Sequence, residues 1–216
     1  MPRPQVIFFD AVGTLFGVRG SVGEVYGKIA WRYGVDVPTH VLNQAFYQSF
    51  KAAESPAFPG QDVAEIPRLE FEWWEAIAVS TFQQANVLDQ FSDFSKFFAE
   101  LYSYFATAEP WVVYADVVPT LEKLSDRGIA IGVLSNFDSR LYAVLKALNL
   151  VNFFSSTTIS TEVGAAKPSP QIFNAALNKH DCPAELAWHV GDSFKEDYQA
   201  AQAAGLRGIW LNRKQN

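Results

Sequence analysis

Cysteine is nearly absent from this chain of 216 residues. Cys182 stands alone, so no internal disulfide can form, and it lacks the cationic neighbours that would make a thiolate nucleophile; packing is its expected role. Long apolar runs are missing as well. No stretch approaches the roughly 18 uninterrupted apolar residues of a membrane span, and Met1-Pro2-Arg3-Pro4 leads into a strand without a signal-peptide segment. Basic runs are also absent: 17 Lys and Arg against 23 Asp and Glu leave a net charge of −6, which argues against a nucleic-acid surface. His40, His180 and His189 lack metal-ligand spacing, and His189 lies inside an apolar run, so core or surface positions are expected of them. These absences point to a cytoplasmic protein that binds neither membrane nor nucleic acid.

Apolar residues are plentiful, at 49% hydrophobic and 15% aromatic, ample for one large domain or a core with an insert. The second half alternates strand and helix patterns. Pro119 to Gly128 reads as a helix, 129–134 as a strand buried on both faces, and Leu141, Val144, Leu145 and Leu148 as one helical stripe. A short strand over 156–160, a helix begun by Pro168-Ser169-Pro170, a strand over 187–190, a helix over 195–204 and a last strand over 208–211 follow. Such alternation predicts an α/β fold, a Rossmann-like parallel sheet covered by helices on both faces. Residues 17–110 break it with about four aromatic-rich helices and no convincing strand. The expected organisation is a core from 1–16 and 111–216 with 17–110 as an inserted all-helical cap. The cap's aromatic stripes are expected to form its own core.

Polar residues mark the strand ends. Asp10 closes Val6-Ile7-Phe8-Phe9 and opens Asp10-Ala11-Val12-Gly13-Thr14-Leu15; Asp192 closes Ala187-Trp188-His189-Val190-Gly191. Open α/β sheets bind ligands at such ends, and a carboxylate followed by Gly-Thr can hold a phosphoryl group beside a metal ion. Either aspartate alone would more often just cap a turn. Ser135-Asn136 alone reads as a helix cap, Lys167 alone as a solvated lysine, and Glu196 as a charge favouring a helix N-terminus.

Taken together, Phe9-Asp10-x-x-Gly13-Thr14-Leu15, Ser135-Asn136, Lys167-Pro-x-Pro-x-Ile-Phe and Gly191-Asp192-x-x-x-x-Asp197 resemble the four motifs of the haloacid dehalogenase-like (HAD) superfamily along the whole chain. That resemblance implies a hydrolase in which Asp10 attacks phosphorus to give an aspartyl-phosphate and Mg²⁺ neutralises the approaching charge. Asp10, Asp192 and the backbone carbonyl of Val12 would ligate the ion, with Asp197 in its outer shell or steadying Lys167. Thr14, Ser135, Asn136 and Lys167 would bind the phosphoryl group of a small phosphorylated metabolite.

One position departs from the family's phosphatases, which carry an acid–base aspartate where this chain has Val12. Valine moves no proton, and losing a general acid–base costs roughly 10²–10⁴ in rate. Three readings stay open: a phosphohydrolase that is slow or borrows an acid from the cap (Glu24, His40, Glu54 and Glu72 are candidates), a 2-haloacid dehalogenase, or a non-catalytic binding protein. The second is disfavoured by Asp192 and Asp197, which would repel a carboxylate substrate, and Arg19 and Arg32 are weak matches to a halide site. Oligomeric state and physiological substrate are open.

Overall fold

The alternation of Val6–Phe9, strand β1, sends Val6 and Phe8 to one face of a sheet and Ile7 and Phe9 to the other, and all four are buried. The structure is a computed structural model describing residues 3–213; Met1 and Pro2 of the Met1-Pro2-Arg3-Pro4 segment lie outside them. Strand β2 spans Phe16–Val18, and four helices follow: α1 Val22–Arg32, α2 Thr39–Ala52, α3 Ile66–Gln84 and α4 Phe94–Tyr104. The chain then alternates through β3 Trp111–Val113, α5 Val117–Asp126, β4 Ala130–Ser135, α6 Arg140–Ala147, β5 Ser156–Ile159, α7 Ser160–Val163, α8 Pro170–Asn178, β6 Ala187–Gly191, α9 Ala200–Ala203 and β7 Arg207–Trp210.

The main sheet runs β5-β4-β1-β6-β7, every pairing parallel. Ile7, Phe9, Ile131 and Val133 pack with Leu121, Leu141 and Leu145 of α5 and α6; Val6, Phe8 and Leu134 pack with Phe173, Leu177 and Ala201 of α8 and α9. A sheet covered on both sides cannot alternate polar with apolar, which is why its central strands read as continuous apolar runs.

Helices α1–α4 enclose a second apolar cluster around Tyr26, Ile29, Leu42, Phe82, Phe97 and Phe98. The sequence missed the antiparallel ribbon at their base, where β2 pairs with β3 in the register Phe16↔Val113 and Val18↔Trp111. Three-residue strands are too short to show a period. The helix expected over 195–204 also differs: Phe194–Gln199 is a π-helical turn, in which Ser193 O accepts from both Asp197 N (3.0 Å) and Tyr198 N (3.2 Å). Among the described residues, no helix is long and apolar enough to cross a membrane.

Candidate active site

Register brings the polar residues together. Phe9 lies between Val133 on β4 and Val190 on β6, so the next step along β1 delivers Asp10 beside Ser135 and Asp192, two residues beyond those partners. Asp10 Oδ1 accepts from Ser135 Oγ at 2.9 Å and from Lys167 Nζ at 2.7 Å, whereas Oδ2 takes no hydrogen bond among the described residues. Lys167 Nζ also donates to Asp197 Oδ1 at 2.5 Å. Burial alone would lower the Lys167 pKa, but the charges of Asp10 and Asp197 outweigh it and hold the ammonium above its usual range.

Asp197 is fully engaged. Oδ1 takes Lys167 and His189 Nε2 (2.8 Å), and Oδ2 accepts from Ser193 N at 2.9 Å. Although burial favours its neutral form, these partners keep it ionised, well below the usual carboxylate range. The π-helical turn carries this carboxylate back over Gly191, where a Cβ would overlap it. His189 is thus a core histidine, as expected, with a positioning role the sequence did not reveal. Burial lowers its pKa, and a neutral ring with Nε2–H toward Asp197 leaves Nδ1 without a partner. The signal was its place two residues before Gly191, on the strand that feeds the site.

Asp192 is pushed up to about 6 by burial and by the like charges of Asp10 and Asp197. Gly13 makes its approach possible: φ is +88°, and a Cβ there would sit 2.5 Å from Asp192 Oδ2. One oxygen each from Asp10, Asp192 and Asp197 lie within 4.8 Å of one another, a donor set for a hard cation. Because both Asp197 oxygens are already bonded, Asp10 and Asp192 are the two better placed to ligate.

Two expected phosphate contacts are differently employed. Asn136 grips the backbone of Lys167, its Oδ1 accepting from Lys167 N (2.7 Å) and its Nδ2 donating to Lys167 O (2.9 Å), so it fixes the lysine loop. Thr14 lines a separate cavity with Asp116 and Arg213, and its carbonyl accepts from Arg213 Nη2 at 2.7 Å. The turn at Gly13 carries it away from Asp10's cavity.

That cavity encloses about 610 Å³ between the carboxyl ends of the strands and helices α1–α4. Asp10, Val12, Ser135, Asn136, Lys167, Asp192 and Asp197 line it, as does Glu196, expected only to favour a helix start. Of the acid–base candidates, Glu54 reaches it; Glu24 and His40 do not, and Glu72 pairs with Arg68. Arg19 binds the carbonyls of Glu109 and Trp111 and Arg32 pairs with Glu100, both elsewhere. The cap aromatics exceed their expected role: Phe46, Phe50, Trp73, Trp74 and Tyr102 line the cavity as well as packing with the cluster.

A polar seam joins helices to sheet. Buried Glu70 of α3 accepts from Ser139 N (2.9 Å), Ser139 Oγ (2.5 Å) and Thr161 Oγ1 (2.6 Å), and burial raises its pKa. Buried Asp138 accepts from Arg140 Nη2 (2.6 Å) and from Trp74 Nε1 (2.6 Å), and the Arg140 guanidinium lies 3.8 Å from the centroid of the Tyr102 ring. Sequence reasoning missed these; the available signal was Glu70 and Trp74 four apart on one helix face, with Asp138 and Arg140 just after the Ser135-Asn136 strand end.

A parallel sheet whose centre strand ends in Asp10, with a buried lysine and a convergent carboxylate pair, is an α/β architecture with a metal-competent site. A family model described as haloacid dehalogenase-like hydrolase matches residues 4–205, and the chain belongs to that family. It is 35% identical over 208 residues to haloacid dehalogenase-like hydrolase domain-containing protein 3 of Danio rerio, covering 96% of this chain and 85% of that protein. The Homo sapiens protein of that name is 32% identical over 205 residues, covering 95% and 80%. Solved structures with the same fold include a HAD phosphatase from Thermococcus onnurineus (TM-score 0.66, 22% identity, 98% of this chain and 88% of that one). Another is the L-2-haloacid dehalogenase from Xanthobacter autotrophicus (TM-score 0.66, 18% identity, 98% and 80%).

Proposed function

We propose that this protein is a Mg²⁺-dependent phosphohydrolase that cleaves a small phosphorylated molecule through attack by Asp10. The observation that carries the reading is the Asp10 carboxylate itself: one oxygen is fixed by Ser135 and Lys167, the other is left without a hydrogen bond among the described residues, and an Asp192 oxygen lies within 4.8 Å of this carboxylate. Ser135 and Lys167 orient the nucleophile, and the Lys167 charge draws a phosphoryl group toward it. Asn136 holds the lysine loop, and Asp197 with His189 holds the ammonium.

Asp10, Val12 through its carbonyl, and Asp192 would hold the cation, with Asp197 behind them. The fit rests on the donor chemistry, since closely spaced carboxylates raise the pKa of Asp192 and a dication relieves that strain. When bound, Mg²⁺ neutralises charge between the phosphate and the carboxylates. Val12 supplies no proton, so turnover favours leaving groups that depart without one.

The test is release of inorganic phosphate from 4-nitrophenyl phosphate with Mg²⁺. Wild type turns over and Asp10→Asn does not; equal rates for the two would overturn the assignment.

A further inference from the structure

We propose that the cavity selects phosphate monoesters whose alcohol is a neutral aromatic ring, that is, aryl phosphates; this rests on the phosphohydrolase reading above. Three independent features support it.

The first is the wall facing the carboxylates. Phe50 stacks on Phe46 (centroids 5.7 Å apart, 21° between planes) and on Trp74 (5.9 Å, 24°), and Trp73 meets Phe50 edge-on at 6.0 Å. All four rings line the space that Asp10 lines, so a planar guest attached to a phosphoryl group at Asp10 meets flat π surfaces.

The second is the scarcity of buried, unpaired charge around those rings. Away from the carboxylate cluster, the charged residues lining the cavity are Lys51, Glu54, Asp138 and Arg140, among the described residues. Arg140 spends its donors on Asp138 and the Tyr102 carbonyl, while Lys51 and Glu54 are exposed at the rim. Away from Lys167, the one unpaired cation that a second anionic group could meet among the described lining residues is Lys51, exposed at the rim; no buried cation is free beside the rings. A polyhydroxylated body would give up water for few partners. Three tyrosines, Tyr26, Tyr47 and Tyr102, line the cavity with hydroxyls that have no hydrogen-bond partner among the described residues, and these suit polar substituents on the ring.

The third is Val12, whose side chain is 37% exposed and lines the same cavity. An alkoxide must be protonated as it leaves, but a phenolate need not be. In the first step an Asp10 oxygen forms a bond to phosphorus while the P–O(aryl) bond breaks, its electron pair leaving with the phenolate. Water then attacks the phosphorus of the aspartyl-phosphate, restoring the carboxylate and releasing hydrogen phosphate and one proton, which the phenolate takes up in solvent. The acid missing at position 12 is not needed in the first step.

The experiment compares kcat/KM of the full chain with Mg²⁺ for 1-naphthyl phosphate, acetyl phosphate and glycerol 3-phosphate. Acetyl phosphate has a good leaving group but no ring, so it separates departure from recognition. The expected order is naphthyl above acetyl by about tenfold, and above glycerol phosphate by about a hundredfold or more. Phe50→Leu keeps apolar bulk at a 42% exposed position, and it should shrink the naphthyl-to-acetyl preference by about fivefold or more. Glycerol 3-phosphate or acetyl phosphate matching the naphthyl ester would overturn aryl selection and leave the hydrolase reading standing. If no ester turns over, binding decides: 1-naphthylmethylphosphonate quenching tryptophan emission more tightly than methylphosphonate supports the aromatic site and sinks the hydrolase reading. Equal affinities would sink the aromatic site too.

Discussion

For the proposed phosphohydrolase, replacing Val12 with aspartate should widen turnover to esters whose leaving group needs a proton. The valine is 37% exposed to the cavity, so the substitution disturbs no packed core. The backbone around it is held independently, by Gly13 N donating to Phe16 O at 2.8 Å and by Leu15 N donating to Ala11 O at 2.8 Å. The new carboxylate joins Asp10 and Asp192, and each like-charge neighbour at roughly 5–7 Å costs about 2–3 kcal/mol at an effective dielectric near 20. A dication offsets that repulsion, so Val12→Asp should lose thermal stability without metal and regain it with Mg²⁺. Supplying a general acid–base is worth roughly 10²–10⁴ in rate, or about 3–5.5 kcal/mol of barrier. That gain should fall on alkyl phosphates, whose leaving oxygen needs the proton, with less than about a tenfold change for 4-nitrophenyl phosphate. Phosphate release from both substrates, under saturating Mg²⁺ and after circular dichroism shows a native fold, measures it. A folded, metal-saturated variant with no gain on the alkyl ester would show that position 12 does not face the leaving oxygen.

Two further outcomes follow from the buried and clustered carboxylates. Asp192 must lose a proton to ligate a cation, so the rise in Tm given by millimolar Mg²⁺ should be large at about pH 7.5 and shrink at about pH 5, below its pKa of about 6. The metal-free protein should move the other way through Asp192: its folded pKa lies above its unfolded one, so the fold binds an extra proton and gains stability as pH falls from about 6 toward 4; equal Mg²⁺ shifts at both pH values would refute the ligand assignment. Glu70→Ala strands Ser139 N–H and the Ser139 and Thr161 hydroxyls in a buried seam, and at about 1–3 kcal/mol per unsatisfied group, eased by hydroxyl rotation, urea unfolding should show a loss of about 2–4 kcal/mol. A loss under about 0.5 kcal/mol would mean the seam is solvated.

How far the sequence carried depended on the range of the interaction. Period and punctuation are local, so β1, β4, β6 and α8 were legible: Val6–Phe9 is apolar throughout, and Ser169-Pro170 starts α8 with Ser169 Oγ accepting from Gln171 N. The convergence of Asp10, Ser135, Lys167 and Asp192 was legible because a parallel sheet delivers every strand end to one edge. What escaped was set by partners distant in sequence. Asn136 lines the cavity with Asp10, but its grip on a backbone 31 residues away was not legible. Thr14 was expected there too, but a left-handed glycine just before it redirects the chain. The π-helical turn over 194–199 is invisible to a 3.6-residue period, because Asp197 within it is held by Lys167, 30 residues away, as well as by His189. The aromatic stripes of α2 and α3 cannot distinguish a core from a cavity wall, since both bury the same face.

The charge balance at the sheet edge weighs between the two chemistries found on this fold. Asp10, Asp192, Asp197 and Glu196 line the cavity end, and among the described residues Lys167 is the cation paired with them. A 2-haloacid would bring its own carboxylate to that edge, where acids outnumber the base. Arg140, lining the same cavity, is already bound to Asp138, and neither Arg19 nor Arg32 lines it. A phosphate ester carries even more negative charge, so it too is repelled unless a cation intervenes. On the proposed reading the excess of carboxylates becomes an asset, because it offers the donor set that would bind the cation. The likeness to a dehalogenase at 18% identity speaks for a shared fold. The carboxylates speak for the reaction that uses a metal, and Lys167, held between Asp10 and Asp197, fixes one Asp10 oxygen as the proposed phosphohydrolase would need.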